Sequence, residues 1–151
     1  LLSQRKLKQL SEFNAAYLWA QIENMDDIQK KRKQLWQTYY SVLKSAPSFP
    51  RNIKIPTTPS YATNNAHIFY LVCDSLDTRT RLMKYLLENG VQSTFHYIPL
   101  HSSSYAKSHF PDIPALPQCD KYGDCLVRLP LYYELSTEEA KYIAQLICNF
   151  Q

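Results

Sequence analysis

A chain of 151 residues is long enough for one domain with a real core, and 45% hydrophobic with 20% charged residues is an ordinary globular balance. No apolar run approaches the roughly 18 residues a membrane-spanning helix needs. The first ten residues, LLSQRKLKQL, lack the apolar stretch of a signal peptide, so a cytoplasmic protein is expected. The net charge of +4 comes from residues 1–46, where Lys and Arg outnumber the acids, while the remainder is balanced.

Residues 10–46 contain neither Gly nor Pro. Leu18, Ile22, Met25, Ile28, Leu35, Tyr39, Val42 and Leu43 recur at helical spacing and predict a long helical arm, bent or broken near 24–27. Such a stripe must be buried against something. The rest of the chain offers little to cover it, so a homo-oligomer through this helix or a missing domain is expected. The basic run Lys30–Lys33 reads as a solvated helix face, and no zinc finger or aromatic interleaving supports a nucleic-acid site.

Four prolines in 47–60 exclude helix and suggest an extended connection. AHIFYLVC (66–73) is β-branched and aromatic, and reads as a buried strand. Residues 75–90 read as a helix capped by Ser75 or Asp77 and closed by Gly90. VQSTFHYI (91–98) alternates like a second strand, 99–124 is irregular, and CLVRLPL (125–131) reads as a third strand. Ser136 and Glu139 are spaced as a capping box for a last helix. The predicted fold class is α+β: a long N-terminal helix, then a small three-stranded, mainly antiparallel sheet with helices packed on it. Residues 1–9 read as a non-native leader, 10–46 as the arm and 47–151 as the small domain.

The chemistry concentrates in TFHYIPLH, 94–101. A metal site needs three or more converging ligands, and Pro99 keeps His96 and His101 off one helical face. Ser102, Ser103 and Ser104 lack the glycine-rich strained turn that exposes a catalytic serine. Imidazole and phenol groups at a strand end suit hydrogen bonding to phosphate or sugar hydroxyls. A satisfied strand end with no ligand is the competing reading. Only Gly90 and Gly123 occur, so no glycine-rich phosphate loop lies in this chain. Cys73, Cys119, Cys125 and Cys148 form no C-x-x-C pair; they read as reduced, with Cys73 in the core.

LSEFNAAYLWAQIE (10–23), NNAHIFYLV (64–72), NGVQSTFHYIPLH (89–101) and RLPLYYELSTEE (128–139) occur in this order and spacing. Together they resemble the C-terminal part of the DegT/DnrJ/StrS sugar-nucleotide aminotransferases, over roughly residues 10–150. Within that family the likeness is to the WecE-type dTDP-4-keto-6-deoxy-D-glucose transaminases. The resemblance implies a dimeric parent enzyme that uses pyridoxal 5′-phosphate to move an amino group from glutamate to a keto-sugar on a nucleotide. Its product would feed surface polysaccharide synthesis, such as enterobacterial common antigen or lipopolysaccharide.

In that family the Schiff-base lysine and its acidic partner lie in a larger N-terminal domain. None of the lysines here falls in a matching motif. The resemblance therefore implies no catalytic or cofactor-binding residue in this chain, no cofactor bound to it alone, and no activity by itself. The family's cofactor-contacting Asn segment aligns with Leu7–Leu10, which does not match it. The resemblance carries over His96 and Tyr97 as contacts to the diphosphate or sugar, with His101 and His67 as further candidates. Metal ligands are not expected, nor is a membrane. Two other readings remain open: a stand-alone, non-catalytic module for nucleotide sugars or other phosphorylated ligands, and a basic-helix nucleic-acid binder.

Overall fold

The computed structural model describes residues 11–110 and 112–151, so the expected leader at 1–9 and the Leu7–Leu10 segment lie outside the described residues. The helical arm is two helices, Glu12–Glu23 (α1) and Met25–Ser45 (α2), which meet at Asn24. Ser11 caps α1 by accepting from the Asn14 N–H at 3.3 Å, and the Asn24 side-chain amide donates to the Ala20 carbonyl at 2.8 Å. Asp26 and Asp27 then place negative charge at the positive end of α2. The break divides the predicted stripe. Leu35, Tyr39 and Leu43 of α2 are buried in the core, whereas no residue of α1 is buried.

Four strands, rather than three, form the sheet: Ile53–Lys54 (β1), Phe69–Cys73 (β2), Thr94–Phe95 (β3) and Leu126–Leu129 (β4). Their order is β1-β2-β4-β3, and every neighbouring pair is antiparallel. The additional strand, β1, lies inside the proline-rich stretch. Its two residues fall between Pro50 and Pro56 and pair only at a sheet edge, where proline is tolerated.

The second predicted strand, 91–98, shrinks to Thr94–Phe95. Its first residue serves the preceding helix, Leu76–Glu88 (α3), instead. The Val91 N–H donates to the Leu86 carbonyl at 2.8 Å and the Gly90 N–H to the Leu87 carbonyl at 3.0 Å, the two hydrogen bonds of a Schellman cap. Gly90 takes φ +78°, a conformation natural to glycine. Of the two cap candidates, Ser75 holds the Thr78 N–H at 3.1 Å.

Residues 99–124 are not irregular. They contain a 3₁₀ turn, Leu100–Ser102, and two helices, Ser104–His109 (α4) and Pro117–Cys125 (α5). Pro117 occupies the start of α5, where its missing N–H costs nothing. Proline and glycine, which read as breakers in sequence, here begin one helix and lie within it.

The sheet buries one face. Phe69, Leu71 and Cys73 of β2 alternate inward, opposite Leu129 and Val127 of β4. Phe69 lies against Trp36 and Tyr39 of α2, with ring centroids 5.2 and 5.0 Å away. Replacing such a ring by Ala costs about 3–5 kcal/mol. The Tyr39 hydroxyl donates to the Pro130 carbonyl at 3.0 Å, tying α2 to the segment after β4. The last helix, Thr137–Cys148 (α6), lies against α2 and adds Ala140, Ile143, Ala144 and Ile147 to the same core.

The capping box of α6 is complete. Ser136 Oγ accepts from the Glu139 N–H at 3.1 Å, and Glu139 Oε2 accepts from the Ser136 N–H at 2.8 Å. Ser136→Ala is expected to destabilise the fold by about 1 kcal/mol in denaturant melts. The Ser136 hydrogen bonds hold the Glu139 pKa below its ordinary value. This contribution is complete above the unfolded-state pKa and is lost as pH falls through the lower folded-state value. Glu139→Gln is therefore expected to flatten the acid limb of the melting profile, and an unchanged limb would refute the linkage.

Candidate functional site

The chain leaves β3 at Phe95 and presents His96 and Tyr97 at once. His96 is half-buried, and its Nδ1 is buried without a hydrogen-bond partner among the described residues. Tyr97 is 72% exposed, and its ring lies 5.0 Å from the imidazole. The Arg128 guanidinium stands over the Tyr97 ring at 5.4 Å. Strand register explains the meeting: Tyr70, Arg128 and Thr94 are aligned across β2, β4 and β3 on the face opposite the core. Arg128 Nε is also buried without a partner, and no carboxylate pairs with Arg128 among the described residues. A guanidinium stacked on a ring face with an unpartnered Nε is a donor that an incoming anion would engage.

His101 points to a different environment. Its Nε2 lies 2.8 Å from Asp120 Oδ1 on α5, and Ser102 Oγ donates to the same oxygen at 3.3 Å. Serine and histidine share one carboxylate without touching each other in a nucleophile–base pair, so this is a clamp and not a triad. A second contact reinforces it. A Cβ on Gly123 would come 2.8 Å from Pro99 Cγ, so only glycine lets α5 lie against the proline ring. Arg79 completes the attachment, with Nη1 donating to the Gly123 carbonyl at 3.3 Å and its guanidinium 5.3 Å from the Phe95 ring. The loop carrying His96 and Tyr97 is thus fixed at Phe95, Pro99, His101 and Ser102.

His67 is exposed, with Nδ1 3.3 Å from Arg32 Nη1. Its turn is built by Asn64 and Asn65, whose side chains accept from the N–H groups of Ala66 and His67 at 2.8 and 3.1 Å. Ala66 is held at φ +52° and buried, and Gln29 of α2 donates to the Asn65 carbonyl. Arg32, one residue of the basic run, is therefore engaged with this turn. The four sequence candidates fall into three places: His96 with Tyr97, His101 with Asp120, and His67 with Arg32.

Two clefts border His101, of ≈ 280 Å³ beside Asp120 and Lys107 and ≈ 540 Å³ beside Leu100 and Leu116. Neither is lined by His96 or Tyr97, whose ring stands on the surface. Among the described residues, no three His, Cys, Asp or Glu side chains converge to hold a metal ion, and no helix is long and apolar enough to cross a membrane.

Arg128, Asp120 and Gly123 escaped the sequence reading. The signal for Arg128 was present: it is the polar residue in the alternation Leu-Val-Arg-Leu. For Asp120 and Gly123 there was none, because their helix was read as irregular chain.

The chain is 32% identical over 136 residues to the erythromycin biosynthesis sensory transduction protein EryC1 of Saccharopolyspora erythraea, which covers 89% of this chain and 35% of EryC1. Its fold resembles that of DesV from S. venezuelae, solved in complex with a ketimine intermediate, at TM-score 0.81 and 23% identity over 93% of this chain and 36% of DesV. It also resembles PseC of Helicobacter pylori, an aminotransferase involved in pseudoaminic acid biosynthesis, at TM-score 0.80 and 17% identity over 94% and 38% of the two chains. The chain thus spans little more than a third of the length of these relatives. Residues 7–148 match the DegT/DnrJ/EryC1/StrS aminotransferase family, and the chain belongs to that family.

Proposed function

We propose that this chain is the C-terminal small domain of a cytoplasmic, pyridoxal 5′-phosphate-dependent sugar-nucleotide aminotransferase. The family match over residues 7–148, on a chain about a third as long as its relatives, carries this reading. The substrate class is a dTDP-4-keto-6-deoxy sugar with glutamate as amino donor, and the product serves surface polysaccharide synthesis. The described residues do not fit the cofactor by themselves. No described lysine is buried, and neither glycine belongs to a phosphate-cradling loop. The Schiff-base lysine and phosphate site are assigned to a domain outside this chain.

The role of this domain is to grip the nucleotide sugar. His96 Nδ1 has no protein partner among the described residues and can hydrogen-bond a sugar hydroxyl or phosphate oxygen. Tyr97 offers a ring face and a hydroxyl. Arg128, stacked on its ring and without a carboxylate among the described residues, supplies the charge for a diphosphate. His101 is assigned to the clamp on Asp120, and His67 to the turn beside α2. Calorimetric titration with dTDP and a dTDP-sugar should give weak, saturable binding. A charge-assisted hydrogen bond is worth about 1.5–3 kcal/mol, so Arg128→Ala should weaken binding roughly 10- to 100-fold. No binding at millimolar ligand, or unchanged binding in both His96→Ala and Arg128→Ala, would overturn the site.

Supplied with cofactor, glutamate and keto-sugar, the chain alone is expected to form no 2-oxoglutarate. Measurable turnover would show that the lysine assignment is wrong. α1 leaves Phe13 82% and Trp19 64% exposed, with Leu18, Ile22 and Met25 also uncovered. An apolar face of this kind drives association, and it supports a homo-oligomer through the 10–46 helices. Light scattering should show self-association that Trp19→Glu reduces. A monomer at high concentration would exclude it.

A further inference from the structure

The sheet face opposite the core extends past Tyr70 to the β1 edge. Ile53 and Cys73 are paired and buried, so Lys54 and Val72, the next pair, face the other way, as Tyr70 does two residues along β2. Lys54, Tyr70 and Val72 line a cleft of ≈ 390 Å³. That volume is in the range of small-molecule sites, about 300–1,000 Å³. The chain around β1 adds Arg51 and Pro56 to its lining, and α5 adds Lys121 and Tyr122. The β1 side is held by backbone hydrogen bonds. The Asp74 N–H donates to the Asn52 carbonyl at 2.9 Å, and the Ile53 N–H to the Pro50 carbonyl at 3.2 Å.

Arg51, Lys54 and Lys121 bring three positive charges to this cleft, and none of them is paired with a carboxylate among the described residues. Asp74 is the one acid in the lining, and its carboxylate accepts from Ser75 Oγ at 3.3 Å instead of from a cation. Like charges around one concavity focus the field inside it. We propose that the cleft is an anion site that takes a phosphate group, either free or on a small molecule.

The lining holds a surplus of two positive charges, and a phosphomonoester carries about −1.5 to −2 at neutral pH. Tyr70 and Tyr122 add phenol groups, which offer hydrogen bonds to phosphate oxygens and ring faces to an organic remainder. A bounded concavity fits a small molecule better than a polynucleotide, which needs an extended basic stripe. None of His96, Tyr97 and Arg128 lines the cleft, so the inference stands apart from the nucleotide-sugar reading.

The 151-residue chain and its Arg128→Ala variant are titrated calorimetrically with inorganic phosphate and with phenyl phosphate. Both proteins should bind both probes saturably, and added salt should weaken the binding. Arg51, Lys54 and Lys121 are exposed, so charge reversal there should leave the melting temperature unchanged. Lys54→Glu and Lys121→Glu should each weaken binding by about 10-fold or more. Tighter binding of phenyl phosphate assigns the cleft to a phosphomonoester, equal binding assigns it to free phosphate, and either result supports the site. No saturable binding at millimolar probe, binding unchanged in both Lys54→Glu and Lys121→Glu, or acetate bound as tightly as phosphate would each overturn it. Binding lost in Arg128→Ala but kept in Lys54→Glu would also overturn it, while leaving the nucleotide-sugar site standing.

Discussion

The pairing of β2 with β4 is the constraint on which the rest of the structure depends. Four residue pairs, Phe69 with Leu129 through Val72 with Leu126, fix two neighbouring strands that are distant in sequence. The outer strands β1 and β3 have two residues each and exist only by pairing onto this centre. Because side chains alternate with period two, the register also decides which residues face which way. A slip by one position would carry Phe69 and Leu71 out of the core and Arg128 into it. The same register sets Arg128 on the face opposite the core, where its guanidinium stands over the Tyr97 ring.

Around that centre the molecule has two kinds of surface. The core side, with α2 and α6, is closed by apolar side chains, and the buried Tyr39 hydroxyl there is satisfied by the Pro130 carbonyl. Among the described residues, the buried side-chain atoms without partners are His96 Nδ1 and Arg128 Nε on the other side, with Arg79 Nε on α3 and Ser93 Oγ just before β3. Buried polar groups cost free energy when unpaired, so their concentration around β3 and β4 marks where an outside partner has most to offer. α1 carries the apolar counterpart of that incompleteness, an apolar-rich helix with no residue buried.

The site itself is held by a segment whose purpose is hard to guess from composition. α5 approaches Pro99 through Gly123 and binds His101 and Ser102 through Asp120. Two histidines that look equivalent in HYIPLH are therefore unlike. His101 already has a carboxylate partner, and His96 does not. The difference lies in a contact across 19 residues of chain, which no local pattern encodes.

Sequence by itself determined what rests on neighbours along the chain. The break near Asn24, the strands read at 66–73 and 125–131 that form at 69–73 and 126–129, the cap at Ser75 or Asp77, the Ser136 capping box and the Gly90 terminus all follow from periodicity and capping, which act over three or four residues. The motifs likewise pointed to His96 and Tyr97 as neighbours in one loop. Tertiary structure alone decided the rest. The two-residue edge strands have too few residues for a period, so β1 was missed and β3 was drawn too long. α4 has six residues, too few for a period, and α5 is a short helix whose Pro117 and Gly123 read as breakers until packing against β2, β3 and Pro99 gave them a use. Arg128 over Tyr97 and Asp120 on His101 are meetings of residues 31 and 19 positions apart. They exist because strand register and helix packing are set by burying a common core, a constraint on the whole chain that no short stretch of it contains.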